Sequence, residues 1–338
     1  MKNTLILSAF AIFFLLFSAS CNKDEEPAML KIGMFVVGDG YNDSGYKQNC
    51  RDGLLSALDQ LSFDTLFVSS MTYTQDEIDY FPQNGFDMLF LAGSIAVDPL
   101  LVSAGKYPQT QFVIVDYNYE GDLPNVQSIS YNSDEAAFPL GFLAAFWASV
   151  KDKEDPVVGI IGGMDIMSIQ RFITAYNLGI SYYNSKYAAK VKVVSSFLNS
   201  FDNSDWGYQV ADSLIKNSGA DVILPVAGAA GNGSLYAAKA YGRWGIGVDT
   251  DQYYSLPDVS DIMLSSCVKN LKPLIDTVAT RFIHNPVISS KTYIGTLEDQ
   301  GVSMAPYHDF DAQIPDSIKT EIETIKSGII GGTIDTGF

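Results

Sequence analysis

The chain has 338 residues, of which 47 % are hydrophobic and 18 % are charged. This length suits about two domains of roughly 100–200 residues, and the composition is that of a folded protein rather than a disordered one. The formal net charge is −18, from 39 acidic and 21 basic side chains. Because such a charge repels a phosphate backbone, the composition argues against nucleic acid as a partner.

Residues 1–20 are predicted to be a signal peptide. Lys2 precedes an apolar run that is short for a membrane-spanning helix of about 20 residues and that ends in small residues. The ending SASC resembles a lipobox, which implies cleavage before Cys21 and lipidation of its thiol; a retained membrane anchor is the alternative. Residues 21–30 are then a lipidated tether. Its acidic start resembles lipoprotein surface-export signals, with a plain solvated linker as the alternative.

From Lys31 onward, short β-rich runs alternate with helical segments. The first series of predicted strands is KIGMFVV, DTLFVSS, FDMLFLAG, QFVIVDYN and VQSISYN. Helices are predicted between them at YKQNCRDGLLSALDQL, QDEIDYFPQN and near DPLLVSAGK. Apolar runs of this length separated by helices indicate a parallel sheet that is buried on both faces.

A helix that begins near Asn132 leads to a second series. Its sequence DEAAFPLGFLAAFWASV is apolar on nearly every side, which predicts that it is buried. The strands VVGIIGG, KVKVVSSFL, ADVILPVAG and WGIGVDTDQ follow, again with helices between them. Two similar series predict two similar α/β lobes, so a cleft between the lobes is the first place to look for a ligand.

Motifs for catalysis or phosphate binding are absent from the sequence or incomplete. There is no GxSxG or HExxH motif, and the two histidines are His284 and His308. GAAGNGS has the glycine spacing of a P-loop but offers Ser234 where the phosphate-binding lysine belongs. GDGYND has Asp43 in place of the third glycine of a dinucleotide-binding fingerprint. The sequence therefore predicts no catalytic residue, no cofactor and no metal.

Carboxylates follow several of the predicted strands. They are Asp39, Asp43, Asp116, Asp249 and Asp251. The carboxyl ends of the strands form the ligand-binding edge of an open α/β sheet, and a carboxylate there can accept hydrogen bonds from two vicinal hydroxyls. A metal is the competing use, but calcium loops place their ligands within about 12 residues and these acids are dispersed. The pattern favours a ligand that carries a sugar.

Aromatic residues near turns supply a second signal. Tyr46, Phe201 and Trp206 lie beside turns rather than inside strands, and a ring stacked on a base contributes roughly 1–3 kcal/mol. Packing in the core is the alternative for each of them. Cys50 and Cys267 are far apart in sequence and without CxxC spacing, which leaves open two buried thiols or one disulfide.

Six segments together resemble the basic membrane protein family, whose members are lipoprotein substrate-binding components of ABC importers. NDSGYKQ (42–48) is similar to the family's DKSFNQ element. The others are DEAAFPLGFLAAF (134–146), VVGIIGGMDIMSIQRFITAYNLGI (157–180), ADVILPVAGAAGNG (220–233), GIGVDTDQ (245–252) and SSCVK (265–269). They occur in the family's order and cover nearly the whole mature chain.

The resemblance implies the fold of a type I periplasmic binding protein, an α/β architecture of two Rossmann-like lobes with parallel sheets joined by three crossovers. The predicted N-terminal lobe comprises residues 31–131 and about 264–291. The predicted C-terminal lobe comprises residues 132–263 and about 292–338. The segment SSCVK would then return to the first lobe.

The resemblance also implies a ligand-binding site. Its predicted members are Asp39, Asp43, Tyr46, Asp116, Phe201, Gly228, Asp249 and Lys269. Tyr46 and Phe201 would stack on a base, Gly228 would let the backbone approach the ligand, and Asp249 would bind ribose near Lys269. The remaining acids would accept hydrogen bonds from the base or the sugar. Tyr46 replaces the family's usual phenylalanine and Lys47 its usual asparagine.

The function implied is that of a lipid-anchored binding protein of the cell envelope, facing the periplasm. It would capture a nucleoside, a purine nucleoside by preference, and pass it to an ABC permease in the inner membrane. A ligand-sensing lipoprotein of the same fold is one alternative, and a binder of a sugar or another small molecule is a second. A nucleoside-cleaving enzyme is the most distant alternative.

Overall fold

The structure is a computed structural model, and it describes residues 29–338. The predicted signal peptide, the predicted lipidation site Cys21 and most of the predicted tether lie outside the described residues. Within residues 29–338, no helix combines the length and the apolarity that crossing a bilayer requires.

The first sheet has six strands, all of them paired in parallel. They are β1 (Lys31–Val37), β2 (Asp64–Ser70), β3 (Met88–Ala92), β4 (Gln111–Val115), β5 (Val126–Tyr131) and β11 (Thr292–Gly295). Their order across the sheet is β2-β1-β3-β4-β5-β11. Every residue of β3 and β4 is buried, as expected for central strands covered by helices on both faces.

The second sheet repeats this arrangement. Its strands are β6 (Val157–Gly162), β7 (Lys192–Phe197), β8 (Val222–Val226), β9 (Trp244–Asp249), β10 (Met263–Lys269) and β12 (Val302–Met304). They are ordered β7-β6-β8-β9-β10-β12, and β12 is antiparallel to β10 while the other pairs are parallel. The prediction of two similar wound sheets is confirmed.

Ten helices accompany the two sheets within residues 29–338. They are α1 (Tyr46–Leu58), α2 (Gln75–Gln83), α3 (Val97–Lys106), α4 (Ser133–Lys151), α5 (Met167–Tyr187), α6 (Ser204–Ser218), α7 (Gly228–Ala240), α8 (Gln252–Ser255), α9 (Leu271–His284) and α10 (Asp316–Ile330). The apolar helix α4 is buried continuously from Ala136 to Ala148, as its sequence predicts. Cys50 of α1 and Cys267 of β10 are buried and free, which decides between the two alternatives for these thiols.

Two of the predicted lobe boundaries are wrong. β10 pairs in parallel with β9, so the chain stays in the second lobe as far as Lys269 instead of leaving it near residue 264. Helix α9 then packs on α1 of the first lobe, as predicted. β11 was expected in the second lobe but pairs with β5 of the first, and the chain then returns for β12. The seven buried or nearly buried residues of β10 carry no local feature that assigns the strand to one sheet, and in the structure it lies between β9 and β12 and packs on α4.

The close crossing of α4 and α5 depends on glycine. A Cβ atom at Gly141 would lie 2.0 Å from the carbonyl oxygen of Tyr176, and one at Gly179 would lie 1.9 Å from the carbonyl oxygen of Phe138. Both contacts are with backbone, so no side chain can rotate away to make room. The two helices therefore approach through their glycine faces.

We expect Gly141→Ala to lower the free energy of unfolding by roughly 1–3 kcal/mol, because α4 and α5 must separate to admit the methyl group. Urea denaturation measures this loss. The matched control is Gly105→Ala in α3, where a Cβ meets no atom within 4 Å. That change should be neutral or stabilise by up to about 1 kcal/mol, since alanine has the higher helix propensity. An equal loss in both variants would contradict the packing argument.

Candidate functional site

A cleft lies between the two lobes at the carboxyl ends of their strands. It contains about 790 Å³ of space between protein atoms, its open mouth included. Its walls include Val37 after β1, Gly93 after β3, Asp116 after β4, Ala227 after β8 and Asp249 at the end of β9. Of the eight predicted site residues, the seven other than Asp39 line this cleft.

Three charged side chains meet in the cleft wall. The Lys269 Nζ atom lies 2.8 Å from Asp116 Oδ2 and 3.6 Å from Asp249 Oδ1. Asp116 follows β4 and Asp249 ends β9, and these two strands occupy equivalent places in the two sheets. Both aspartates have left-handed backbones, with φ of 67° and 66°. Such conformations are uncommon outside glycine and concentrate at functional sites.

Burial and neighbouring charges together shift the pKa values of Asp249 and Lys269. Burial raises the pKa of Asp249 to about 6, with the Lys269 ammonium opposing the rise and the carboxylates of Asp116 and Asp43 adding to it. Burial alone would lower the pKa of Lys269, but the carboxylates of Asp116 and Asp249 outweigh it and raise that pKa above its usual value. At neutral pH Lys269 is therefore charged and most of Asp249 is ionised.

Aromatic rings surround the same ammonium. Lys269 Nζ lies 4.9 Å from the ring centroid of Phe172 and 5.7 Å from that of Tyr46. The hydroxyl of Tyr46 donates to the carbonyl oxygen of Val115 at 3.3 Å, so the polar atom that distinguishes it from phenylalanine has a partner. Phe201 lines the opposite part of the cleft, where a Cβ atom on Gly163 would lie 2.3 Å from its ring. The cleft thus offers ring faces from both lobes.

Gly228, a predicted site residue, is the first residue of α7 and has a φ of 54°. Such a backbone is accessible to glycine without strain, and it brings the main chain of residues 227 and 228 to the cleft surface. The structure therefore brings Gly228 and Phe201 together, since a Cβ at residue 228 would lie 3.2 Å from the carbonyl oxygen of Phe201.

The two acids of the first loop differ from the prediction. Asp43 lines the cleft, but its carboxylate accepts hydrogen bonds from the backbone N–H groups of Gly45, Lys47 and Gln48 at 2.9–3.0 Å. It anchors the start of α1 and has few lone pairs left for a ligand. Asp39 lies outside the cleft wall, and its side chain is 70 % exposed. The turn after β1 leaves it mostly in solvent, although its Oδ1 atom lies 3.6 Å from the Nζ atom of Lys47, which lines the cleft, so a part for Asp39 in ligand binding stays a prediction.

A second, more polar recess adjoins the cleft and shares Ser94, Asp116 and Ser168 with it. It extends to Asn132, the residue before α4, and contains Arg171 of α5. The Arg171 Nη1 atom donates to Asp134 Oδ1 at 2.5 Å, and Asp134 is buried. The guanidinium charge is therefore already neutralised by a carboxylate of the protein.

Residues 29–334 of the chain match the family described as ABC transporter substrate-binding protein, PnrA-like. The chain belongs to this family. Its members are solute-binding components of ABC transporters and not enzymes, so this PnrA-like chain is the substrate-binding protein of such a transporter. The family predicted from the sequence is confirmed.

Two curated relatives and one solved structure illustrate the likeness. The chain is 27 % identical over 289 residues to basic membrane protein B of Borreliella burgdorferi, covering 82 % of this chain and 81 % of the relative. It is 27 % identical over 361 residues to the ABC transporter nucleoside-binding protein BmpA of Lactococcus lactis, covering 98 % of each. A solute-binding protein of an ABC transporter system from Aeropyrum pernix superimposes with a TM-score of 0.83 at 20 % identity, covering 90 % of this chain and 92 % of that one. This similarity confirms the predicted fold.

Several residues that line the cleft of this PnrA-like protein were not predicted from the sequence. Phe172 is the most central, because its ring is the nearest of the three that contact the Lys269 ammonium. It lies in the first half of α5, which follows β6 just as α1, the helix that carries Tyr46, follows β1, and β6 and β1 occupy equivalent places in the two sheets. That equivalence was the available signal. Lys47 and Asp202 were also missed, and nothing in a single sequence shows that they meet.

Proposed function

We propose that this chain binds a nucleoside, by preference a purine nucleoside, in the cleft between its lobes and delivers it to an ABC permease. The observation that carries the proposal is the buried Asp249 carboxylate, held 3.6 Å from the Lys269 ammonium within a wall of aromatic rings. A nucleoside has the two matching parts, a flat base and a pair of vicinal hydroxyls.

The base would be recognised by stacking. Tyr46 from the first lobe and Phe172 and Phe201 from the second supply ring faces, and stacking on an aromatic side chain contributes roughly 1–3 kcal/mol per base. A bicyclic purine covers more of such a surface than a pyrimidine does. This part of the proposal accords with the name of the Lactococcus relative, which describes a nucleoside-binding protein.

The ribose would be recognised by Asp249. Its ionised carboxylate can accept a hydrogen bond from each of two neighbouring hydroxyls, while Lys269 donates to a ribose oxygen. The carboxylate is already desolvated in the free protein, so little further desolvation is needed when the hydroxyls bind. A sugar without a base would use this part of the site but leave the rings unoccupied.

The charges of the cleft favour an unphosphorylated ligand. The lining contains four carboxylates, Asp43, Asp116, Asp202 and Asp249, but two ammonium groups, Lys47 and Lys269. Each ammonium already has a carboxylate partner, at 2.5 Å for Lys47 and 2.8 Å for Lys269. A phosphate would have to break these pairs or remain uncompensated, which is costly in a buried site.

A thermal-shift panel on residues 27–338 tests the proposal, because a ligand that binds only the folded state raises the melting temperature. The panel contains inosine, guanosine, adenosine, the free bases, ribose, other sugars and inosine 5′-monophosphate. We expect saturable shifts with the nucleosides and a much smaller one with the monophosphate. A shift with a plain sugar and none with any nucleoside would refute the ligand, and release of free base from inosine would indicate an enzyme instead.

The cellular part of the proposal rests on the sequence before residue 29. We propose that Cys21 carries the lipid and that the tether lets the two lobes remain outside the cytoplasm, close to the permease. Membership of a family of transporter binding proteins accords with this location. A sensor that signals through the closed form of the same lobes is the alternative use of the fold.

Nucleoside affinity should fall about tenfold between pH 7.5 and pH 5. Asp249 has a pKa of about 6, so roughly nine-tenths of it is protonated at pH 5 and can no longer accept two hydroxyl donors. Isothermal titration calorimetry with inosine measures the change. Folding is not the cause, because a carboxyl whose pKa is raised in the folded state stabilises that state as the pH falls from about 6 to about 4. Affinity that stays constant over this range would contradict the role of Asp249.

A further inference from the structure

One segment of the first lobe, residues 38–48, makes three polar links to the second lobe. Asn232 Nδ2 of α7 donates to the carbonyl oxygen of Asp43 at 2.8 Å. The hydroxyl of Ser255 in α8 donates to the carbonyl oxygen of Ser44 at 2.6 Å. Lys47 Nζ donates to Asp202 Oδ1 at 2.5 Å. Only the last of these links joins opposite charges.

The Lys47–Asp202 pair is shielded from solvent. The two side chains are 7 % and 19 % exposed, and both line the cleft. The backbone of Gly38 lies directly against them, since a Cβ atom there would be 2.6 Å from both Lys47 Nζ and Asp202 Oδ1. Asp39 Oδ1 also lies 3.6 Å from Lys47 Nζ, but its side chain is 70 % exposed, and an exposed ion pair contributes little. Breaking the shielded pair with Asp202 leaves a poorly compensated charge in a poorly solvated place.

One second-lobe residue that makes these contacts, Asn232, is linked by hydrogen bonds to β9, the strand that ends at Asp249. Gln252 Nε2 donates to Asn232 Oδ1 at 3.0 Å, and the N–H of Val248 donates to Gln252 Oε1 at 2.9 Å. Val248 immediately precedes Asp249. Asn232, which binds the first lobe, is therefore linked through Gln252 to the end of β9 that carries Asp249, the proposed ribose acceptor.

We propose that Lys47 and Asp202 are positioning residues that hold the two lobes closed and thereby set how long a ligand stays in the cleft. Opening the lobes separates the pair, and a ligand enclosed between the lobes leaves only from the open state. Loss of the pair raises the population of the open state and accelerates release. The effect on the lobes needs no ligand, whereas the effect on release rests on the proposed nucleoside function.

Small-angle X-ray scattering of ligand-free residues 27–338 tests the effect on the lobes. The variants are Lys47→Met, Asp202→Asn and the exchanged pair Lys47→Asp/Asp202→Lys. The control is Lys106→Gln, which removes a lysine from an ion pair with Asp79 inside the first lobe. We expect a larger radius of gyration in both single variants, a return towards the wild-type value in the exchanged pair, and no change in the control. Circular dichroism and melting curves verify that each variant is folded.

Stopped-flow dissociation of guanosine and inosine tests the effect on release. Both single variants should dissociate roughly 10- to 100-fold faster, with little change in the association rate constant, as for the loss of a desolvated ion pair at an interface. Two folded single variants that scatter like wild type would overturn the proposal, whatever the ligand is. If no nucleoside binds, the proposed function fails while the scattering result still decides the role of the pair.

Discussion

Replacing Asp249 by asparagine is expected to weaken nucleoside binding at least about 100-fold at pH 7.5. A hydrogen bond to a charged group contributes about 1.5–3 kcal/mol, two hydroxyls are involved, and each 1.4 kcal/mol corresponds to a factor of ten in affinity. The substitution keeps the shape of the side chain but removes the charge and turns one acceptor into a donor. Calorimetry with inosine measures the loss.

The matched control is Asp39→Asn, because Asp39 follows β1 much as Asp249 ends β9 but its side chain is 70 % exposed, so its 3.6 Å contact with Lys47 contributes little. It should leave affinity unchanged within a factor of about two. A 2′,3′-dideoxynucleoside completes a double-mutant cycle: wild type should discriminate strongly against it, and Asp249→Asn should hardly discriminate at all. Equal discrimination by both proteins would show that Asp249 does not bind the ribose hydroxyls.

Much of the fold could be predicted from the sequence because its determinants are local. Buried parallel strands are continuous apolar runs, as in β3 and β4, and they require nothing from distant residues to be recognised. The position of acids after such strands likewise predicted that Asp116 and Asp249 would each lie at the carboxyl edge of its own sheet, where an open α/β sheet binds ligands. Their contact with Lys269 brings both lobes together in one group of charges.

The incorrect lobe boundaries, and the differences at the first loop, depend on structure that is not local in the sequence. Which sheet receives β10 or β11 depends on long-range packing, because a buried strand of seven residues or a strand of four fits either edge. Asp39 and Asp43 are four residues apart, yet one is exposed and the other is bound to three backbone N–H groups. That difference arises from the path of a glycine-rich turn, with φ of 124° at Gly38 and 129° at Gly40. Composition alone does not determine such a path.

The Lys47–Asp202 pair in the cleft also depends on a contact between residues that are distant in sequence. Its members are 155 residues apart and belong to different lobes, so neither has a local signal. The resemblance indicated that Lys47 departs from the usual asparagine, and the structure supplies a partner for it. When a residue at a cleft departs from its family's pattern, a partner for it should therefore also be looked for in the opposite lobe.

Replacing Lys269 by methionine is expected to lower the free energy of unfolding by roughly 3–5 kcal/mol at pH 7.5, the range for removing one partner of a buried ion pair. Its side chain is 3 % exposed, and its loss leaves the carboxylates of Asp116 and Asp249 without their shared cation. Urea denaturation measures the change. The control is Lys106→Gln, which should lower the free energy of unfolding by much less. Lys106 is 55 % exposed, and its buried partner Asp79 keeps hydrogen bonds from Gln75 and Ser103 after the substitution.

The pH dependence of this loss distinguishes charge from packing. Without the ammonium, nothing opposes the burial and the Asp116 charge that raise the pKa of Asp249, so the folded variant binds protons more readily than the unfolded chain does. The folded variant therefore gains stability relative to wild type as the pH falls, and the deficit of Lys269→Met should shrink between pH 7.5 and pH 5. Adding Asp116→Asn should recover part of the deficit at pH 7.5, because one buried charge is then removed. A deficit that is constant with pH and unaffected by Asp116→Asn would mean that Lys269 supports the fold through its aliphatic stem, and that the two lobes are not joined by charge at this point.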